Sequence, residues 1–151
     1  YTTLRAEARQ YAMPLPHVVS VTRVQMQTSG GNDAQRYYMG GSFSLRGYDR
    51  RSFAGYQTML VQQEFRYPLL RRLRLAVPGM WTLPYVGGAA FADAAWVSNG
   101  PIETRVGSAG FGVYLLGGYY PAIRWNWVWM TPDFQQFSRR PVMQFSIGFN
   151  F

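Results

Sequence analysis

The sequence contains no cysteine and no lysine, and it has a single histidine. The absence of cysteine excludes disulfide frameworks and metal sites built from thiolates. Although 48% of the residues are hydrophobic, no stretch approaches the roughly 18 consecutive apolar residues that indicate a membrane-spanning helix. The chain must therefore place its apolar side chains in some other kind of structure.

Motifs that carry chemistry are missing as well. There is no metal-ligand spacing, no glycine-rich phosphate loop and no Ser/His/Asp order. The lone His17 follows Pro16 and is interpreted as a surface residue. Glu64 and Asp93 could formally act as an acid and a base, but no nucleophile accompanies them. We therefore expect no enzymatic activity, no cofactor and no bound metal.

All 15 basic residues are arginine and the net charge is +8. One explanation is a codon preference for arginine. The other is contact with phosphate or carboxylate groups, which the planar guanidinium group binds through two parallel hydrogen bonds. Lipopolysaccharide and nucleic acid are both polyanions of this kind, and charge alone does not choose between them.

The end of the chain alternates between apolar and polar residues with a period of two. One face holds Met143, Phe145, Ile147, Phe149 and Phe151, while small or polar residues fill the other face. A strand of a soluble sandwich could show this alternation. A fully apolar, aromatic-ended face opposite a small polar face is more typical of a transmembrane barrel strand, which contacts lipid on one side and a wet lumen on the other.

A second alternating segment carries tryptophan on one face. Trp125, Trp127 and Trp129 share that face, and Arg124 and Asn126 lie on the opposite one. Three neighbouring tryptophans are hard to place in a soluble core but suit a lipid-facing surface close to an aromatic girdle. We therefore predict that this face, together with Phe111 on the preceding strand, points outward.

Alternation and turn signals predict seven strands and no helix. Their predicted ranges are 2–10, 18–27, 56–67, 84–97, 107–116, 123–130 and 143–151. Pro14 and Pro16 are predicted to form a connection, and Pro68 to end the third strand, because proline cannot donate to a ladder. Residues 28–54 are predicted to form a long glycine-rich loop.

Seven strands cannot close a single-chain bacterial barrel, which has an even number of strands from about eight upward. An open sheet in lipid would leave unpaired backbone groups at both edges. A missed strand or a barrel shared by several chains would solve this problem. We favour a third solution, in which residues 1–151 are one all-β antiparallel transmembrane domain belonging to a larger barrel.

Within the predicted loop 28–54 stands the tetrapeptide Leu45-Arg46-Gly47-Tyr48. It resembles the (V/L)RG(F/Y) loop motif of BamA-type outer-membrane barrels. Residues 63–68 resemble the strand that follows this loop in the family. Residues 91–95 resemble its F-x-D-x-G segment, with Ala95 in place of the glycine. The strand ending at Phe151 resembles the family's C-terminal assembly signal.

This resemblance implies that the chain is the C-terminal part of a barrel of about 16 strands in the bacterial outer membrane. Members insert or translocate proteins or lipids through a lumen loop and a lateral seam. Their POTRA domains distinguish the subfamilies, and none is present in this sequence. The implied partners are outer-membrane lipid and lipopolysaccharide, a client or passenger polypeptide and the barrel assembly machinery, with no nucleic acid.

The resemblance also assigns roles to individual residues. The loop residues Leu45, Arg46, Gly47 and Tyr48 would fold into the lumen. The inner wall that braces them would consist of Glu64, Phe91 and Asp93. The assembly signal would consist of Phe145, Ile147, Phe149 and Phe151.

Physical chemistry supports the role of Arg46 independently. An arginine folded into a lumen needs an anionic partner, because its desolvation is otherwise uncompensated. Glu64 and Asp93 lie on adjacent predicted strands, and their parity directs both inward. Gly47 permits a backbone turn that a side chain would block. We therefore predict that Arg46 pairs with Asp93, with Glu64 nearby.

Two further interpretations stay open from the sequence. In one, the barrel anchors or secretes a passenger enzyme, such as an esterase, that is encoded upstream. In the other, the chain is a soluble basic β protein that binds nucleic acid through aromatic stacking and positive charge.

Overall fold

The computed structural model describes residues 1–70, 85–117 and 120–148. These residues form nine strands and no helix, which confirms the predicted all-β antiparallel class. The strands are β1 (Thr2–Leu15), β2 (Val18–Gly30), β3 (Tyr37–Met39), β4 (Phe53–Gly55), β5 (Gln57–Leu70), β6 (Tyr85–Asn99), β7 (Ile102–Gly117), β8 (Tyr120–Thr131) and β9 (Val142–Gly148). No helix in the described ranges is long and apolar enough to cross a membrane.

Seven of the strands form one antiparallel sheet in the order β1-β2-β5-β6-β7-β8-β9. Each strand pairs with the next long strand along the chain, so the polypeptide meanders through the sheet. The two short strands β3 and β4 pair with each other inside the connection from β2 to β5. Over the described residues, β1 and β9 are the two edges of the sheet.

The strand register separates two chemically different faces. The inner face carries Glu64, Asp93 and Arg124, and the outer face carries Phe111 and Trp127. On the outer face the Phe111 and Trp127 rings stack with their centroids 5.4 Å apart. Because directly paired residues point to the same side of a sheet, the predicted alternation is preserved from strand to strand.

The apolar core lies between the β2–β5 connection and the inner face. From the connection come Met39 and Leu45, which are 3% and 0% exposed. They pack against residues of β5, β6 and β7, namely Leu60, Ala95, Val97 and Val106. The connection is thus fixed onto the inner face by apolar burial, which stabilises a structure by roughly 25 cal/mol per Å².

Several predicted boundaries were wrong. Pro14 belongs to β1 and Pro68 to β5, and the pairing register shifts beside each of them, between Ala12 and Leu15 and between Pro68 and Leu70. A proline is tolerated at an edge or a bulge, because the missing N–H then breaks no regular ladder bond. The predicted start of a strand at Gly107 is also wrong, because β7 begins at Ile102.

The predicted loop 28–54 is shorter and more ordered than expected. Its first residues extend β2 to Gly30, and its interior contains β3 and β4. Other predictions fall outside the described residues. These are the start of a strand at residue 84, and Phe149 and Phe151 of the assembly signal.

Candidate functional site

Arg46 lies on the inner face and is only 3% exposed. Its guanidinium group donates two hydrogen bonds to the Asp93 carboxylate, from Nε to Oδ2 at 2.8 Å and from Nη2 to Oδ1 at 2.6 Å. The Arg46 backbone N–H also donates to Asp93 Oδ2 at 3.2 Å. This bidentate, charge-assisted geometry fixes both the side chain and the backbone of the loop to β6.

Glu64 is the second acidic partner, and three arginines share it. Arg46 Nη1 donates to Glu64 Oε2. Arg124 donates to both carboxylate oxygens, with Nη2 to Oε1 at 2.9 Å and Nη1 to Oε2 at 3.1 Å. Arg66 Nε donates to Oε1 at 2.6 Å. Glu64 therefore connects the β2–β5 connection to β8 as well as to its own strand.

Phe91 completes the surroundings of the Arg46 guanidinium. Its ring lies beneath the group, with Arg46 Cζ 3.6 Å from the ring centroid. Phe91 is itself 5% exposed and pairs in register with Glu64. The guanidinium thus meets carboxylates at its edge and an aromatic face below, which is a favourable cation–π position.

The protonation of Arg46 is secured by these partners. Burial alone lowers its pKa, but the hydrogen bonds and negative charges of Asp93 and Glu64 outweigh burial. The pKa of Arg46 therefore lies above the ordinary value for arginine. The Arg46 guanidinium group is therefore positively charged, and it forms an ionic clamp with Asp93 and Glu64.

The other three residues of the tetrapeptide each make a separate contact. Leu45 is fully buried in the core beneath the connection. Gly47 has a φ of +89°, and a Cβ at this position would come within 2.7 Å of Val128 Cγ1. The Tyr48 hydroxyl donates to the Gly107 carbonyl oxygen at 3.1 Å. The tetrapeptide therefore fits against β7 and β8 as well as β5 and β6.

The connection also reaches β9 at two points. The Gly47 N–H donates to Gln144 Oε1 at 3.2 Å. The Phe43 ring lies against Gly148, where an added Cβ would approach the ring to 2.7 Å. Because β9 pairs on one side only over the described residues, these contacts give it a second attachment to the body of the protein besides its ladder with β8.

A second ionic cluster lies on the inner face near the β1 edge. Glu7 accepts from Arg9 Nε at 2.7 Å and from Arg23 Nε at 2.9 Å. Arg23 also donates to the Phe43 carbonyl oxygen at 3.2 Å and to Gln62 Oε1 at 3.1 Å. This cluster lies beside the connection and is reached by water, since Arg9 keeps 43% of its side chain exposed.

The structure brings together all seven predicted loop and wall residues: Leu45, Arg46, Gly47, Tyr48, Glu64, Phe91 and Asp93. Phe145 and Ile147 lie instead on the outer face of β9, and each is about half exposed. Within the described ranges no group of histidine and acidic side chains could hold a metal ion.

Two members of the ionic network were missed from the sequence, Arg66 and Arg124. Arg66 lies two residues after Glu64 and shares its face, so strand parity could have found it. Arg124 has the correct parity too, but β6 and β7 separate its strand from Glu64. In a flat sheet that separation would be about 14 Å. The contact therefore requires the inner face to be concave, which strand parity does not predict.

Comparisons of the chain with family models, with curated proteins and with solved structures gave no match.

Proposed function

We propose that the chain is the C-terminal part of an outer-membrane β-barrel of the BamA type, which inserts or translocates proteins at that membrane. The observation that carries the proposal is the clamp of Arg46 on Asp93 and Glu64. The motif resemblance implies a loop arginine packed against an acidic inner wall. In this chain the loop arginine is Arg46 and the acidic residues of the wall are Asp93 and Glu64, which are the residues that the motif resemblance names.

The concave inner face supports the same function. Arg124 on β8 reaches Glu64 on β5 across two intervening strands. A sheet that curls enough for β5 and β8 to share an ion pair across its inner face is compatible with a barrel wall. Such a wall, completed by further strands, would have no open edges in lipid.

The division of residues between the two faces favours lipid over nucleic acid. Trp125, Trp127 and Trp129 lie on the outer face, whereas Arg66 and Arg124 lie on the inner face. Binding of single-stranded nucleic acid places stacking rings and cations on one surface, whereas the three tryptophans lie on the face opposite these two arginines. An aromatic outer face opposite a charged inner face matches a lipid-facing wall around a polar lumen.

The proposed mechanism uses the edge strand and the clamped connection. An edge strand offers unpaired N–H and C=O groups, which can template an incoming strand of a client protein. The edge strand β9 contacts Gly47 and Phe43 of the connection. The clamp at Arg46 holds the connection in place. Because the connection contacts β9, we expect the clamp to influence how readily β9 separates from the sheet.

Fluorescence in bilayers tests the proposed location. The chain would be reconstituted into vesicles of brominated phosphatidylcholine, and aqueous iodide would be added separately. We expect strong quenching of tryptophan by the brominated lipid and weak quenching by iodide, with a reduced lipid effect in Trp127→Phe. The opposite pattern would exclude a lipid-facing outer surface.

An assembly assay tests the proposed activity. Cells whose full-length protein carries Arg46→Ala are expected to keep the barrel in the membrane but to assemble fewer outer-membrane clients. Arg105→Ala, on an exposed residue paired with Glu103, serves as the control. Normal client assembly with impaired display of an upstream passenger would instead favour the anchor interpretation.

A further inference from the structure

A cavity of about 370 Å³ opens on the inner face between the connection and strands β1, β2, β5, β8 and β9. Arginine is the most frequent residue of its wall, which also contains apolar side chains such as Val21, Phe43 and Ile147. Five guanidinium groups line it, those of Arg9, Arg23, Arg46, Arg66 and Arg124. Neutral polar groups, including Ser42, Gln62 and Ser146, complete the polar part of the wall.

The carboxylates around the cavity are fewer than the arginines. Glu64 lines the cavity, while Glu7 and Asp93 do not line it but form ion pairs with arginines of the wall. The five arginines of the wall are therefore balanced by only three carboxylates, which leaves two positive charges in excess. The other four acidic side chains do not line the cavity: Asp33, Asp49, Glu103 and Asp133.

Each arginine of the wall has a carboxylate partner, but the partners are shared. Glu64 serves three arginines and Glu7 serves two. Three of the arginines also remain within reach of a solute. The side chain of Arg9 is 43% exposed, and those of Arg23 and Arg66 are each 21% exposed. The cavity is therefore accessible to solutes and carries an excess of positive charge.

We propose that this cavity binds a dianionic phosphate group. Guanidinium groups bind phosphate oxygens through paired, charge-assisted hydrogen bonds. A phosphate monoester carries a charge of roughly −1.5 to −2 near neutral pH, which offsets the two excess positive charges. A carboxylate would offset only one of them. The proposal depends only on the residues around the cavity and is independent of the proposed transport function.

The main test is a calorimetric titration of the full chain, folded in detergent, with inorganic phosphate and with acetate. Phosphate is expected to bind more tightly than acetate at equal ionic strength. Two variants outside the Arg46 clamp should then move the phosphate affinity in opposite directions. Arg9→Gln removes a positive charge and should weaken binding roughly fivefold, whereas Glu7→Gln removes a negative charge and should strengthen binding by a similar factor.

The exposed pair of Glu103 and Arg105 supplies matched controls. Their Nε–Oε1 distance of 3.0 Å makes them a similar ion pair away from the cavity. Glu103→Gln and Arg105→Gln should leave the phosphate affinity unchanged. Opposite shifts at Arg9 and Glu7 cannot arise from a general loss of folding. Shifts in the same direction, or no greater than those of the controls, would overturn the proposal.

A competition experiment identifies the source of the phosphate. Vesicles of phosphatidylcholine with and without phosphatidic acid would compete against inorganic phosphate for the folded chain. Competition only by the phosphatidic acid vesicles would assign the cavity to a lipid headgroup. Binding of free phosphate without such competition would assign it to a soluble phosphorylated compound. If neither form of phosphate binds, the proposal is wrong.

Discussion

Two arginine–carboxylate clusters lie on the same face of one sheet but in different surroundings. In the clamp, the Arg46 and Asp93 side chains are 4% and 0% exposed. In the β1 cluster, the Arg9 and Glu7 side chains are 43% and 24% exposed. The Arg46–Asp93 and Arg9–Glu7 ion pairs have nearly equal N···O distances, at 2.6 Å and 2.7 Å. These two pairs therefore differ in access to water and hardly at all in bond length.

The β2–β5 connection causes this difference. It packs Leu45 and Met39 onto the strands beside the clamp and so excludes water there. The β1 edge strand has no such cover and is exposed at every position. Removing one partner of a buried ion pair leaves an uncompensated charge, which costs about 3–5 kcal/mol. An exposed pair contributes about 0.2–1 kcal/mol.

Arg46→Ala is expected to have the largest effect. It leaves Asp93 buried without a cation, so the free energy of unfolding should fall by about 3–5 kcal/mol. Urea unfolding in detergent, followed by tryptophan fluorescence, measures this change. Arg9→Ala is the matched variant in the water-accessible cluster and should lose less than about 1 kcal/mol. If both variants lost the same free energy of unfolding, burial would not be what distinguishes the two clusters.

Gly47→Ala is expected to have an intermediate effect. The φ of +89° disfavours a side chain, and the new Cβ would press on Val128. Backbone strain and overlap together should lower the free energy of unfolding by about 2–4 kcal/mol.

Gly100→Ala separates these two causes. Gly100 has a similar φ of +75°, but nothing lies within 4 Å of an added Cβ. In Gly100→Ala the free energy of unfolding should fall only by the cost of placing a side chain at a positive φ, which is about 1–2 kcal/mol. If Gly47→Ala cost no more than Gly100→Ala, the close fit of the connection on β8 would not be stabilising.

Strand alternation made most of the sheet predictable, because a period of two reports directly which side chains share a face. Parity alone placed Asp93 and Glu64 on the inner face and Trp127 on the outer face. The partner of Arg46 could be predicted because a desolvated cation needs a carboxylate, and only a few carboxylates had the right parity.

Other features of the structure depend on tertiary geometry, which an alternating sequence pattern does not predict. The contact between Arg124 and Glu64 requires a curled sheet. The position of Pro14 within β1 depends on its being an edge strand with an irregular register. The cover over the clamp depends on Met39, which is buried at the end of the short strand β3. A three-residue strand within a glycine-rich segment carries too few alternating positions to be recognised.

Glu7→Gln is expected to have the smallest effect on stability and gives the sharpest test of the comparison. Glu7 joins Arg9 and Arg23, but water screens all three side chains, so the variant should lose at most about 1 kcal/mol. That loss should shrink further at high salt, because exposed charges are screened within about 10 Å at 0.1 M ionic strength. Urea titrations at low and high salt measure both quantities.

Asp93→Asn is the matched variant in the buried clamp. Its free energy of unfolding should fall by more than that of Glu7→Gln at either salt concentration, since the Asp93 site is shielded from the counterions. If the Glu7→Gln loss were large and independent of salt, the β1 edge would not be open to water in the folded protein. Strands from another part of a larger barrel would then have to cover it.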